Sequence, residues 1–443
     1  MDRVNNIPLP AFMEPYYAKG ILDTSFGENG IVQNNIIMNS IEDSVGCSIV
    51  TDRYGRIYVV GLVVKNEVSD LAFWRFNSDG KPNPIFETNG YIATINWGND
   101  VNDYGQIFSP VMTIDNNGII YIACSCPMMT NFGGAYNLVI FRYNTNIKQS
   151  DNLNLFVRFD PSEYGAVPYQ FPHGIKIDNK GRLVVIGQQN NNIIMWRYNN
   201  GSLDQTFGEN GYVIGPNFIG NISFGIINKI GFTIDNKCRI LMTGPIFSES
   251  ASSSIDVISI YRFNEDGTLD SDFGENGLVI LDGAARNNDT GGGDFGADVA
   301  CDSQGRIFVL GASVNYMDKS KMVLLCYNED GLLNNDFGNS GVVVNGDIHN
   351  EPYYGETGLR IMFDSVGKII VGGLYSAGMA IWRYNNDGTP DLGFGNNGYT
   401  CYDYDIMNDK NYMYSLTMDS YGRILVLGGM GYENYQMTLW RFK

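Results

Sequence analysis

The chain has 443 residues, of which 44% are hydrophobic and 17% charged, and its formal net charge is −19. This length exceeds that of a usual single-core domain, so it requires either several domains or a repeat architecture. The negative charge argues against nucleic acid as the main partner, because phosphate binding needs a basic surface, and it suits a basic protein partner or bound cations.

The start of the sequence predicts no secretory signal. The first 20 residues contain acidic residues and prolines and lack a basic region followed by an apolar core. No run of about 20 apolar residues occurs, so the sequence predicts no membrane span. The seven cysteines mostly lie within apolar strand patterns, as reduced and buried thiols do. We therefore expect an intracellular or virion-associated protein.

In chain order, a predicted N-terminal extension over 1–18 precedes a Leu-Asp-x-x-Phe-Gly-x-Asn-Gly element that begins at Leu22. An Asp-x-x-Gly-Arg-Ile-x-Val-x-Gly element follows and recurs with variations, beginning at Asp52, Asp115, Asp178, Asp235, Asp302, Asp364 and Asp419. After each copy comes a segment ending in Arg-Tyr-Asn or a variant of it, at Asn77, Asn144, Asn199, Asn264, Asn328, Asn385 and Lys443. The Leu-Asp-x-x-Phe-Gly element returns, sometimes loosely, from Asn83, Leu203, Leu269, Leu333 and Pro390.

Each repeat predicts four short strands. The first strand leads into the Asp, the Asp-x-x-Gly turn reverses the chain into a β-branched second strand, and the third strand carries alternating apolar residues. An Asp-Gly turn then leads into the fourth strand, where Phe-Gly and Asn-Gly provide a buried ring and positions that tolerate positive φ. Helical periodicity is nearly absent. The sequence therefore predicts an all-β, seven-bladed β-propeller over 19–443, with four-stranded antiparallel blades.

The order of elements at the two ends predicts that the ring closes. The first element, Leu22–Val32, is a fourth strand with no third strand before it, and the last, Met437–Phe442, is a third strand with no fourth strand after it. The N-terminal strand can therefore complete the last blade and leave no open edge.

The two recurring elements resemble those of the delta-60-repeat family, a propeller family related to the NHL type. The resemblance extends from about Ile21 to Lys443 and departs locally, with Cys238 in place of the usual Gly and Cys326 in place of the recurring Arg. It implies a propeller fold and no shared activity, so it assigns no catalytic residues.

Catalytic and metal motifs are scarce. The recurring arginines of the third strands suggest hydrogen bonds within each blade rather than an anion-binding ring. Asp294-Phe295-Gly296 spells a kinase motif but lacks every accompanying kinase element. Two histidines offer little material for zinc sites, and Cys124-x-Cys126 has the wrong spacing. No cofactor is predicted, and calcium on the acidic surface remains the alternative, although the segment from Asp270 fails as an EF-hand.

A binding site, if one exists, is predicted at the mouth of the central channel, where the loops that lead into the inner strands meet. Acidic and aromatic residues are interleaved there. The candidates are Glu42, Asp43, Asp103, Tyr104, Tyr169, His173, Asp294, Phe295, Tyr354 and Glu356, with Phe171, Phe224, Tyr353 and Tyr412 nearby.

The sequence favours a non-enzymatic protein-interaction or structural scaffold, as part of a larger assembly or a virus particle. Seven similar blades without an asymmetric catalytic cluster are the basis for this hypothesis. The alternative is a carbohydrate-active or carbohydrate-binding propeller, because carboxylates and aromatic rings at the mouth could act on a glycan or stack on one.

Overall fold

Seven antiparallel β-sheets form the chain in a computed structural model. The structure describes residues 19–33, 43–65, 68–84, 86, 91–93, 108–130, 133–146, 153–158, 170–189, 192–215, 230–247, 256–284, 293–314, 320–345, 356–375, 378–402, 410–431 and 436–443. Regular structure in these ranges is entirely β, and they contain no helix with the length and apolar character needed to cross a membrane.

Each blade consists of four strands that follow one another from the central channel to the rim. The innermost strands are β2 (Asp43–Thr51), β6 (Phe108–Ile114), β10 (Gln170–Ile177), β15 (Gly231–Ile234), β19 (Asp294–Cys301), β23 (Glu356–Phe363) and β27 (Lys410–Met418). The second strands are β3 (Ile57–Lys65), β7 (Ile119–Thr130), β11 (Leu183–Gln189), β16 (Ile240–Phe247), β20 (Ile307–Ser313), β24 (Ile369–Tyr375) and β28 (Ile424–Gly431).

The two outer positions of each blade are filled in the same order. The third strands are β4 (Val68–Phe76), β8 (Gly133–Asn144), β12 (Asn192–Asn199), β17 (Asp256–Phe263), β21 (Lys321–Tyr327), β25 (Gly378–Tyr384) and β29 (Gln436–Phe442). The outermost strands are β5 (Tyr91–Ala93), β9 (Asn154–Arg158), β14 (Tyr212–Ile214), β18 (Leu278–Leu281), β22 (Val342–Asn345), β26 (Tyr399–Tyr402) and β1 (Ile31–Gln33). The short β13 (Ser202–Leu203) also pairs with β12.

Strand β1 is the outermost strand of the seventh blade, whose other strands are β27 to β29. It pairs antiparallel with β29, with Ile31 opposite Trp440. The predicted all-β, seven-bladed propeller with four-stranded antiparallel blades is thus confirmed. The predicted extension over 1–18 lies outside the described residues.

A β-bulge interrupts the described innermost strands other than β15, and it explains the last Gly of the Asp-x-x-Gly-Arg element. In β19 the register shifts between Gly296 and Asp298. The bulge brings the carbonyl oxygen of Phe295 so near the second strand that a Cβ on Gly311 would lie 2.1 Å from it. Only Gly fits at this point, because a side chain there would collide with backbone.

The hydrophobic core lies between blades rather than within them. The cluster between the first and seventh blades, for example, packs Trp74 and Val59 against Leu425 and Leu439. Four third-strand tryptophans are at most 2% exposed, namely Trp74, Trp196, Trp382 and Trp440. Truncating one of these would cost about 3–5 kcal/mol, because a large aromatic cavity would remain.

Third-strand arginines such as Arg262 make hydrogen bonds within their own blade, as the sequence suggested, and they also bind the next blade, which the sequence did not suggest. Arg262 Nε donates to Asp270 Oδ2 at 2.7 Å, and its guanidinium carbon lies 4.3 Å from the centre of the Phe273 ring. The same guanidinium donates to the carbonyl oxygen of Glu329 in the next blade. Arg197 makes the equivalent set of contacts. The repeated Asp, Phe and Arg therefore form one structural unit.

Candidate functional site: the central channel

Half of the ten residues predicted at the channel mouth lie in the described part of the chain. These are Asp43, His173, Asp294, Phe295 and Glu356; the additional residues Phe171 and Tyr412 are also described. The others lie outside it, namely Glu42, Asp103, Tyr104, Tyr169 and Tyr354, as do the additional residues Phe224 and Tyr353. That these residues bind a ligand stays a prediction.

Asp294, at the start of β19, is held by hydrogen bonds to neighbouring residues. The residue is fully buried, with 0% exposure. Oδ1 accepts a hydrogen bond from Ser313 Oγ at 2.5 Å, and Oδ2 accepts from the backbone N–H groups of Gly283 and Ala284 at 2.5 and 3.2 Å. Asp294 therefore fixes the connection from the fourth blade to the fifth.

Other innermost strands carry a polar residue at the same position, eight residues before the turn Asp. Ser44 Oγ accepts a hydrogen bond from the N–H of Met437, and Gln170 Oε1 accepts one from the N–H of Leu138. Both donors belong to the third strand of the preceding blade. Glu356 occupies this position in β23 and is 6% exposed. The position thus contributes to contacts between blades.

The remaining described candidates lie at the bulges or at a strand end. His173 is the extra residue of the β10 bulge and lines the channel. Phe295 belongs to the β19 bulge region, where its carbonyl approaches Gly311. Asp43 begins β2 opposite Val64.

The channel itself contains a charged cluster that the sequence analysis did not identify. A cavity of about 160 Å³ is lined by residues from all seven innermost strands or from the positions directly before them. Its charged lining residues are Lys176 from β10, Asp298 from β19 and Arg360 from β23. We call these three residues the channel triad. They provide two cations and one carboxylate near the axis of an otherwise acidic protein.

Asp298 is bonded to its own blade and to the next. Oδ1 accepts from the N–H of Val299 at 3.0 Å, and Oδ2 accepts from the N–H of Ile361 in β23 at 3.1 Å. Although solvent reaches part of the residue, the surrounding strands crowd it, and this burial raises the pKa of Asp298. The positive charges of Arg360 and Lys176 and the two N–H groups act in the opposite direction but do not outweigh burial.

The two cations of the triad have few contacts with other described residues. The Lys176 ammonium lies 5.7 Å from the centre of the Phe232 ring. Arg360 donates from Nη1 to the carbonyl oxygen of Leu359 at 2.6 Å. Among the described residues neither cation has an ion pair within 4.0 Å, so both retain hydrogen-bond donors, and both residues line the channel.

A sequence signal for the triad was present but was not used. Asp298 and Arg360 each lie four residues before a turn Asp, where other blades carry Ser48, Val111, Gly174, Gly231 and Ser415. Lys176 lies two residues before its turn Asp, where other blades carry Val50, Thr113, Thr233, Ala300, Met362 and Thr417. The triad is therefore visible as a departure from the repeat.

Metal chemistry gains no support from the described residues. They contain no group of three or more His, Cys, Asp or Glu side chains placed to hold one ion. Cys124 and Cys126 have their Sγ atoms 3.6 Å apart, and the hydrogen bond between them together with burial raises the pKa of the Cys124 thiol. Asp270, considered above for calcium, pairs with Arg262. The expectations about cofactors and calcium stay predictions.

Comparison with known families gives a match over two segments. A family described as "Domain of unknown function (DUF5122) beta-propeller" matches residues 55–86 and 367–394. These segments run from an Asp-x-x-Gly turn to the Phe of the outer element in the first and sixth blades. The match supports a β-propeller repeat family, and the more specific delta-60-repeat assignment stays a prediction. Among proteins with curated descriptions, nothing matches.

Several solved structures are similar in fold over most of the chain. A Dyadobacter fermentans protein of unknown function is 8% identical, with a TM-score of 0.43, over 94% of this chain and 99% of its own. A Penicillium chrysogenum alpha-L-arabinanase complexed with arabinobiose is 11% identical, with a TM-score of 0.45, over 76% and 92%. Drosophila Semaphorin 1b is 8% identical, with a TM-score of 0.42, over 97% and 88%. Similarities this distant carry no information about function.

Proposed function

We propose that the chain is a non-enzymatic protein-interaction scaffold and that it docks a partner on the face formed by the Asp-x-x-Gly turns. The observation that carries this proposal is an exposed pair of tyrosines in neighbouring blades. Tyr54 in the first blade is 50% exposed, and Tyr421 in the seventh is 40% exposed. Tyrosine and arginine are the residue types that contribute most to protein interfaces.

The two tyrosines and the arginines around them form one surface, which we call the Tyr54–Tyr421 patch. The Tyr421 ring lies against the neighbouring turn, 3.0 Å from where a Cβ of Gly55 would be. Arg53 donates to the Tyr54 hydroxyl at 2.8 Å, and the guanidinium of Arg423 lies 4.9 Å from the centre of the Tyr421 ring. These contacts hold the rings in place, so less conformational entropy is lost on binding.

The patch is local to one side of the ring. At the equivalent turn position the third and fourth blades carry Lys180 and Lys237, which pair with Glu265 and Glu329. These exposed ion pairs contribute little to stability, and they place charged side chains where the first and seventh blades carry tyrosine rings. A partner can therefore distinguish the junction of the first and seventh blades from the turns of the third and fourth blades.

The partner we propose is a protein segment with an apolar side chain for the two rings and a carboxylate for the exposed Arg53. The partner as a whole is expected to be basic, because the net charge of −19 attracts positively charged proteins at long range, before the patch itself makes contact. Asp294 and Glu356, two of the carboxylates predicted at the channel mouth, are buried. Their burial favours a scaffold over a glycan-cleaving enzyme, because acid–base catalysis needs carboxylates within reach of substrate.

Affinity capture from native lysate with a matched set of variants tests the proposal. We expect Tyr54→Ala combined with Tyr421→Ala to lose the species that the unmodified protein captures. Ile280→Ala, on the outermost strand of the fourth blade where Ile280 is 54% exposed, should retain it. Size-exclusion chromatography should show the same complex. A protein that stays monomeric with no partner, or one that captures the same species with all variants, would contradict the proposal.

A further inference from the structure

We propose that the central channel binds a small oxyanion, a carboxylate or a phosphate, between Lys176 and Arg360. This site is separate from the Tyr54–Tyr421 patch. Both cations line the same cavity and come from strands on different sides of it, β10 and β23. An oxyanion between them would receive hydrogen bonds from the ammonium and from the guanidinium, whose planar fork fits carboxylate and phosphate oxygens.

The charge of the channel favours an anion. The triad has two cations for one carboxylate, in a protein whose total charge is −19. The carboxylate oxygens of Asp298 already accept backbone hydrogen bonds from Val299 and Ile361. Asp298 therefore neutralises one positive charge at most and makes no direct ion pair with either cation within 4.0 Å. In a narrow channel with reduced dielectric, the remaining positive charge attracts an anion more strongly than it would on the surface.

The size of the cavity restricts the ligand. Its volume of about 160 Å³ is well below the roughly 300 Å³ at which pockets begin to hold drug-sized molecules. Ser48 and Ser415 also line it and offer hydroxyl donors. These properties fit an ion such as phosphate or a short carboxylic acid better than a nucleotide or an oligosaccharide.

The repeats provide substitutions that the fold already accepts. Arg360→Ser introduces the residue found at the same position in the first and seventh blades, Ser48 and Ser415. Lys176→Thr introduces the residue found there in the second, fourth and seventh blades. Lys180→Thr removes the same charge from an exposed ion pair with Glu265, away from the cavity lining, and is the matched control.

Titration calorimetry and thermal melting with inorganic phosphate and with acetate test the proposal, with sodium chloride at equal ionic strength as reference. We expect at least one of the two anions to raise the melting temperature of the unmodified protein. Arg360→Ser and Lys176→Thr should each weaken binding at least tenfold, while Lys180→Thr should not. The relative affinities for phosphate and acetate would identify which oxyanion fits better.

Two results would overturn the proposal. The first is a melting temperature that neither phosphate nor acetate changes relative to chloride. The second is equal affinity in the unmodified protein and in Lys176→Thr. If Arg360→Ser fails to fold, Arg360→Lys is the substitute, because it keeps the charge and loses the planar fork. We expect it to bind phosphate measurably, but more weakly than the unmodified protein does.

Discussion

Arg441 and Asp23 are 418 positions apart in the sequence, and their side chains meet inside the seventh blade. Arg441 Nε donates to Asp23 Oδ2 at 2.9 Å, and both residues are at most 2% exposed. The guanidinium also lies 4.3 Å from the centre of the Phe26 ring. The same arrangement of Arg, Asp and Phe occurs within other blades, where all three residues come from one repeat. In the seventh blade, Asp23 and Phe26 come from the segment before β1, whereas Arg441 comes from β29.

Removing the carboxylate of this pair should weaken the whole fold. We expect Asp23→Asn to lower the free energy of unfolding by about 3–5 kcal/mol, because it leaves the buried Arg441 charge uncompensated. Urea denaturation followed by circular dichroism measures this. Asp330→Asn is the control, since Asp330 is exposed in a turn and the change should cost about 0.5 kcal/mol or less. Equal losses for the two variants would show that the contact between Arg441 and Asp23 has no special importance for stability.

Acid should release the same contact. Burial alone would raise the pKa of Asp23, but hydrogen bonds from Ser25 and the charge of Arg441 outweigh it and lower the pKa from 3.8 to about 2. A carboxyl with a lowered folded-state pKa stabilises the fold above the unfolded-state value, and this stability is lost as the pH falls through the folded-state value. The difference in urea midpoint between the unmodified protein and Asp23→Asn should therefore shrink between about pH 4 and pH 2. A constant difference would be inconsistent with this shift.

The third-strand arginines should differ in how much they contribute to the free energy of unfolding, according to their contacts. We expect Arg262→Lys to cost about 2–3 kcal/mol, because lysine cannot contact Asp270, the Glu329 carbonyl and the Phe273 ring together. Arg142 occupies the same position in the second blade but is exposed. Arg142→Lys should cost about 0.5 kcal/mol or less in chemical denaturation. The interpretation fails if both changes cost the same.

The glycine beside the bulge should be harder to replace than a turn glycine. We expect Gly311→Ala to cost about 3 kcal/mol, because the new Cβ would lie 2.1 Å from the Phe295 carbonyl oxygen. Gly181 has φ +79° and no atom within 4 Å of an added Cβ, so Gly181→Ala should cost only about 1 kcal/mol of backbone strain. Thermal unfolding of the two variants measures the difference. The reverse order would mean that the bulge can move without cost.

The recurring elements of the sequence predicted the fold, but the channel residues that depart from the repeat were not identified as a site. The Asp-x-x-Gly turns and the third-strand arginines could be predicted because each appears in nearly every blade at constant spacing. Asp298 and Arg360 could not be placed in the channel in the same way, because the bulge before them interrupts the alternation that assigns a strand residue to one side. Asp294 was predicted in a loop that leads into an innermost strand, and it is the first residue of β19. Its partners, Ser313 and two backbone N–H groups, come from tertiary structure and could not be predicted from the repeat.

The channel triad breaks the approximate sevenfold symmetry of the propeller. The backbone repeats around the axis, but a carboxylate in the fifth blade is followed by a guanidinium in the sixth, with an ammonium across the cavity in the third. A molecule that lies on the axis therefore does not have seven equivalent orientations about it. It has one preferred azimuth, although the surrounding scaffold is built from copies of a single unit.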